Sequence, residues 1–301
     1  MQRKAVIICG PTASGKTSSA INIAVQINGE IIGADSVQIY RFLDIGSAKP
    51  TKEERLLVPH HMIDIVNPDV YYSAGDYSIQ SRKIFEEIEQ RNHFPIICGG
   101  TGMYIDSLVK GLFEGPRADQ GIRNDLKLQE ESDKGCLHRR LLEVDPHSAS
   151  RISENDIFRL TRALEVFILT NKTLSEHHKE HQASEPFCTT LIFVIDPPRE
   201  LLEARVEARV NEMLKTGFID EVKNLLSMGY PKDLRSLQSK GYKEVIDFLD
   251  GKIHMDELSA AIILSHKKYI KQQRTWFKPR GIHVSCSEEI DLEEIKRFFQ
   301  I

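Results

Sequence analysis

Eight consecutive residues, Gly10-Pro11-Thr12-Ala13-Ser14-Gly15-Lys16-Thr17, place two glycines, a lysine and a hydroxyl at the spacing GxxxxGK[ST]. The glycines let the backbone curl with its N–H groups pointing inward, and a helix starting behind them offers its positive end to an anion. Lys16 adds a mobile point charge for outer phosphate oxygens, and the Thr17 hydroxyl stands where a Mg²⁺ bridging those oxygens would be held. This pattern points to binding of a phosphate group. A second chemical residue, Asp35, follows the apolar run Glu30-Ile31-Ile32-Gly33-Ala34. A carboxylate at the carboxyl end of a strand in an open α/β sheet faces the ligand crevice, which makes Asp35 a candidate for base chemistry or metal binding; the bland alternative is a helix cap or Asx turn. Arg205 and Arg209 lie at i and i+4 on a patterned helix. They either pair with Glu203 and Glu207 on an exposed face or reach as a cationic pair over the phosphate site.

The elements that must position these groups are legible from periodicity. Ala5 to Cys9 reads as a buried strand and the Ser/Ala/Ile-rich segment after Lys16 as a helix, so the glycines fall at the strand-to-helix turn that a P-loop needs. Residues 30–34 form a second strand, Pro59 to Ile65 leads into another, and Phe94 to Cys98 is a further one. Gly99-Gly100-Thr101-Gly102-Met103-Tyr104 then suggests a second close approach of backbone to ligand. Asp76 to Arg91 has helical spacing, with Ile79, Ile84, Phe85 and Ile88 on its apolar face. The paired His60 and His61 would bind a metal only with a third ligand, and are read as loop residues near the site.

From Gly115 the texture changes: residues 116–186 lack strand-like runs and carry helical patterns at 124–131, 137–144 and 157–170, and a strand returns only at 190–196. The fold expected is therefore α/β, a P-loop NTPase-like parallel sheet core (1–115 and 188–301) with an inserted helical domain (116–187). Within the insertion Arg159 and Arg162, at i and i+3, share one helix face; His177-His178-Lys179-Glu180-His181 imitates HExxH with its glutamate misplaced and reads as a solvated helix end. His266 to Arg280 holds six Lys and Arg residues around Tyr269, Trp276 and Phe277 with no acid, the composition of a local RNA-backbone patch on the basic C-terminal helix. The formal net charge of −4 excludes a generally basic protein. Cys9, Cys98, Cys136, Cys188 and Cys286 are scattered without CxxC pairs, which suits reduced thiols and indicates neither zinc nor disulfides. The chain enters its first strand at once and has no bilayer-length apolar run, so a soluble cytoplasmic protein is expected, able to work as a monomer.

The set of motifs resembles the tRNA dimethylallyltransferase family (isopentenyl-tRNA transferases, bacterial type) over nearly the whole chain. The resemblance rests on the P-loop, Asp35-Ser36-Val37-Gln38-Ile39-Tyr40, Asp44-Ile45-Gly46-Ser47-Ala48-Lys49-Pro50, and Gly99 to Tyr104. It continues through Asn155-Asp156, Arg159, Arg162-Ala163-Leu164-Glu165-Val166, Arg205, Arg209, Met213, Gly241-Tyr242-Lys243-Glu244 and Arg274-Thr275-Trp276-Phe277. It implies a P-loop core that holds the diphosphate of dimethylallyl diphosphate, and transfer of the dimethylallyl group to N6 of the adenosine 3′ of the anticodon in tRNA. Asp35 would then be the general base, and Lys16, Thr17 with Mg²⁺, and Arg209 would neutralise the departing diphosphate. The matching tRNA-contacting positions are Asp35, Ser36, Val37, Gln38, Thr101 and Arg123, with Phe158, Arg159, Leu160, Thr161 and Arg162, on the anticodon stem-loop. Departures from the family pattern are Ser47 for threonine, Asn171 for glycine, and Tyr269-Ile270-Lys271-Gln272-Gln273 for Tyr-Ala-Lys-Arg-Gln, which loses a cation and adds bulk. The competing readings are a P-loop kinase acting on a small metabolite, with Asp35 as base for a hydroxyl, and an RNA-binding regulator that keeps a nucleotide fold. The basic segment and the Arg159/Arg162 face favour RNA over a metabolite.

Overall fold

The computed structural model describes residues 2–113, 115–182, 185–284 and 290–301; Cys286 lies outside them. The described residues fall into two compact units, Met1–Val109 with Phe187–Ile301, and Lys110–Pro186.

The first unit is built on a parallel sheet whose strands among the described residues are β1 (Lys4–Cys9), β2 (Gly29–Gly33), β3 (His60–His61), β4 (Phe94–Gly99), β5 (Thr189–Ile195) and β6 (Ile282–Val284), in the order β3-β2-β4-β1-β5-β6. β1 is central and apolar throughout because both its faces are covered: Ala5, Ile7 and Cys9 join one core, Val6 and Ile8 the other. Register decides what the sheet delivers. Cys9 pairs with Gly99, and Gly33 with Cys98, so β1, β2 and β4 end level and hand over Gly10, Ala34 and Gly100 along one edge. The two edge strands differ from expectation: β3 has only two residues of the longer run, and β6, not expected, is too short and exposed to show as a periodic signal.

The helices follow their caps. Ala74–Gln90 starts two residues earlier than the periodicity implies, because Ser73 and Asp76 form a reciprocal capping box. On it Ile79 is 75% exposed and falls outside the apolar face, which consists of Tyr77, Phe85 and Ile88 with Ile84 packed beside them. Arg199–Lys215 buries Leu202, Val206, Val210 and Met213, a stripe that fixes its rotation. Met255–Phe277 buries Leu258, Ile262, His266, Ile270, Gln273 and Phe277. Ile270, the bulkier departure from the family pattern, is thus a core residue, whereas Gln272 is exposed.

The second unit has its own core of Leu126, Leu137, Leu141, Ala149, Leu160, Ala163 and Leu164. Its helices include Gln120–Ser132, Cys136–Val144, Ile157–Thr170 and Leu174–Gln182. Asn171 closes Ile157–Thr170 in the left-handed region at φ 53°, a conformation an asparagine adopts at modest cost.

Candidate active site

The phosphate-binding loop leaves β1 at Gly10 and enters the Lys16–Ile27 helix at Gly15. Both glycines are dictated by geometry. Gly10 has φ 145° and a Cβ there would run into the Ile195 carbonyl, while Gly15 has φ 97°. Ala13 completes the curl at φ 62°. The loop lines a cavity of about 200 Å³ together with Asp35, Gln38, Lys49, His60, Cys98 and Arg209. Thr12, Ala13, Gly15, Lys16 and Thr17 all face it, whereas Pro11 and Ser14 are buried behind.

Cations converge on this loop. Arg205 Nη1 donates to the Ser14 carbonyl at 3.1 Å, and Arg209 Nη1 reaches the Thr12 hydroxyl at 3.4 Å. Glu203, a possible surface partner for them, is engaged instead by Arg199 and Lys267. Burial holds the Lys16 ammonium below its ordinary pKa, with Cys98 and Asp35 pulling the other way; burial and then the Arg205 charge do the same to Arg209. Two desolvated cations beside a strand-to-helix turn make a site suited to an anion.

Asp35 stands just past β2. Its Oδ1 accepts from Val37 N at 2.9 Å and from Gln38 N at 3.3 Å, so the Asx turn and the cavity-facing carboxylate are the same residue. Pinning one oxygen in this way aims the other. Thr101, past β4, ties in: its N–H donates to Ala34 O at 3.0 Å and its Oγ1 accepts from Ser36 N at 3.0 Å. Val37 is partly buried against the core, and the Gln38 side chain, on the cavity wall, donates its amide to the Ser47 and Ala48 carbonyls at 3.1 Å each. The Asp44–Pro50 segment is held from outside. Glu221 accepts from the N–H groups of Asp44, Ile45 and Gly46 and from the Tyr242 hydroxyl, and Lys49, 2% exposed at its side chain, bridges Asp44 and Asp64.

Several expectations change on contact with tertiary packing. The glycines of Gly99 to Tyr104 make room for protein: a Cβ on Gly99 would meet Ala34, on Gly100 the Gln273 amide, and on Gly102 the Trp276 ring. His60 and His61 diverge, His61 to Glu30 at 2.6 Å and His60 Nδ1 to the Val58 carbonyl at 2.8 Å, so they do not form a metal pair. Half of the basic segment is neutralised: Lys267 faces Glu203 and Glu207, Arg274 faces Asp196, and Arg280 faces Asp106, while Lys268, Lys271 and Lys278 are exposed.

In the second unit, Leu160 is fully buried in the core, so its side chain is structural and not a contact surface. Arg123 and Arg162 both bind Glu165, which is fully buried; Arg123 does so bidentately at 2.8 and 2.9 Å, and Arg162 at 2.6 Å. Against the upward push of burial, these hydrogen bonds hold the Glu165 carboxyl below its ordinary range. Arg162 therefore turns inward, while Arg159 is exposed and pairs with Asp156, so the two guanidinium groups do not share a face. Phe158 is exposed and Thr161 partly so.

The sequence model of the IPP transferase family matches residues 38–280, and that of isopentenyl transferases matches residues 3–60. The tRNA dimethylallyltransferase of Thermotoga petrophila is 46% identical over 275 residues, covering 91% of this chain and 89% of its own. The chain belongs to the tRNA dimethylallyltransferase family. Another member, from Geobacter sulfurreducens, is 44% identical over 278 residues at 91% and 89% coverage. Among solved structures, a tRNA isopentenylpyrophosphate transferase from Staphylococcus epidermidis superposes with a TM-score of 0.71 at 35% identity, covering 99% of each chain. A eukaryotic dimethylallyltransferase acting on tRNA gives 0.78 at 26% identity over 98% of this chain and 76% of its own. Membership makes this a prenyltransferase-type enzyme with a P-loop-like α/β core.

Two groups near the cavity were not assigned to the site from sequence. Gln273 is buried between the phosphate-binding loop and Gly100, and Tyr269, on the same helix, hydrogen-bonds with Thr101 and Gln273. Burial and the nearby Asp35 push the Tyr269 hydroxyl up to about 12. The signal in the sequence was that these two residues, four apart on one helix, keep the first and last positions of the family pattern Tyr-Ala-Lys-Arg-Gln.

Proposed function

We propose that this enzyme transfers the dimethylallyl group of dimethylallyl diphosphate to N6 of the adenosine 3′ of the anticodon in tRNA, releasing diphosphate. Family membership supports this over a kinase or a non-enzymatic regulator. The observation that carries the mechanism is the convergence of Lys16, Thr17, Arg209 and Asp35 on one cavity. The diphosphate lies in the loop's N–H cradle, met by Lys16 and Arg209. The nitrogen lone pair of N6 forms the bond to the allylic carbon as that carbon's bond to the diphosphate oxygen breaks. Asp35 takes the N6 proton, and the two cations balance the charge gathering on the leaving group. An adenine stacked in the anticodon loop leaves its stack to reach such a crevice, which costs less in a loop than in a duplex.

Among the described residues no group of three or more His, Cys, Asp or Glu could hold a metal. Thr17 offers one hard oxygen facing the cavity, which fits Mg²⁺, an ion that keeps several waters and takes its remaining ligands from phosphate oxygens. When bound there, Mg²⁺ supplies charge neutralisation of the diphosphate. In the second unit, exposed Phe158 and Arg159 are the side chains we assign to tRNA contact, with Arg123 and Arg162 shaping that helix through Glu165. No helix among the described residues is long and apolar enough to cross a membrane, and a monomer acting where tRNA matures, in the cytoplasm, completes the reading.

Purified protein incubated with Mg²⁺, radiolabelled dimethylallyl diphosphate and unmodified tRNA should place label in the tRNA, and an Asp35→Ala variant should not. Binding of tRNA without label would favour the regulator, and turnover of ATP in place of transfer would favour the kinase.

A further inference from the structure

Gln273 is 5% exposed, and its amide is used at both ends. Oε1 accepts from Thr12 N at 2.9 Å, inside the phosphate-binding loop, and Nε2 donates to Gly100 O at 3.0 Å. The next residue, Thr101, accepts from Ser36 beside Asp35, and its own N–H holds Ala34. One side chain thus spans from the cradle of the leaving group to the strand end that carries the base. Gly100 has no Cβ because one would collide with this same amide. Only a planar group with one acceptor and one donor at this length serves both partners.

Resting on the function proposed above, we propose that Gln273 is a positioning residue for transfer. It touches neither substrate. By holding the phosphate-binding loop and the Asp35–Thr101 side of the cavity at a fixed separation, it keeps leaving group and base in register for the same nitrogen, so it acts on kcat more than on binding. Misplacement of reacting groups by about 1 Å costs on the order of a hundredfold in rate.

The test is steady-state and single-turnover kinetics of the full chain carrying Gln273→Met or Gln273→Glu, each alone and combined with Asp35→Asn. For Gln273→Met we expect kcat to fall roughly 10- to 100-fold, with KM for tRNA and for dimethylallyl diphosphate moving less than about threefold. In the Asp35→Asn background the same change should cost little more, because a residue that acts through the base has nothing left to position. Gln273→Glu supplies a fold-independent readout. Its carboxylate keeps the acceptor for Thr12 but sets an oxygen against Gly100 O, and protonation restores a donor, so activity relative to wild type should recover as pH falls from about 8 to about 6, as expected for a buried carboxyl. Losses that multiply fully with Asp35→Asn, effects confined to KM, or a Gln273→Glu profile parallel to wild type would overturn the proposal. Wild-type protein that transfers no label at all would instead overturn the function on which it rests.

Discussion

A single carboxylate and a few cations carry the proposed reaction. Asp35 is held by two backbone N–H groups, so Asp35→Asn keeps the turn and removes only the base. Transfer should fall by about 10²- to 10⁴-fold while tRNA binding, read by filter retention, stays within a few-fold. Arg209 touches the loop through Thr12, and Arg209→Ala removes a charge that meets the diphosphate as it departs. A loss of about 10²- to 10³-fold in kcat is expected, together with weaker inhibition by added inorganic diphosphate. A KM effect alone would place Arg209 in ground-state binding. What makes either residue readable is local: the GxxxxGK[ST] spacing, and an acid after a strand. Gln273, and the Arg123 partner of Glu165, are not readable in this way, because each contact spans a long stretch of chain that no local pattern names.

Two elements should respond to acid in separate windows. His266, on Met255–Phe277, is buried and faces Arg209, Lys240 and the Gly241 turn, with its Nε2 unpartnered among the described residues. Burial first, then Arg209 and Lys240, push it down to about 4 from 6.5. The unfolded chain therefore takes up a proton below about 6.5 that the folded chain refuses until about 4, and the fold loses about 3 kcal/mol across that window. His266→Leu should flatten the decline in urea midpoint between pH 7 and 5, followed by fluorescence of the single tryptophan, Trp276, on the same helix. Glu30, at the start of β2, behaves oppositely. Burial alone would raise it, but Arg91, His61 and His93 hydrogen bonds bring it down to about 2 from 4.5. Its stabilisation is complete above 4.5 and lost as pH falls through 2, also about 3 kcal/mol. Glu30→Gln should lower stability at pH 7 and leave the curve below pH 4 less steep. Neither group shows its role in sequence, since one looks like part of a basic surface and the other like an ordinary strand residue.

At the scale of the molecule, the two units have separate cores. Leu164→Ala, in the core of the second unit, should cost about 2–5 kcal/mol there. Label transfer to tRNA should drop while diphosphate binding in the first unit is retained; loss of both would mean that the phosphate site depends on the second unit. Sequence by itself determined the phosphate-binding loop, the parallel α/β core, the Ile157–Thr170 helix with both its bounds and the family, because these rest on short-range spacing and on runs of one period. Tertiary structure alone decided that the glycines after β4 serve Gln273 and Trp276, that Glu165 takes Arg123 from another helix, that Leu160 is core, and that half of the six basic residues of 266–280 are paired with acids from other helices and loops. The physical reason is common to all four. Spacing along the chain sets which face a residue occupies, but what that face meets is set by elements distant in sequence, whose positions follow from sheet order and register.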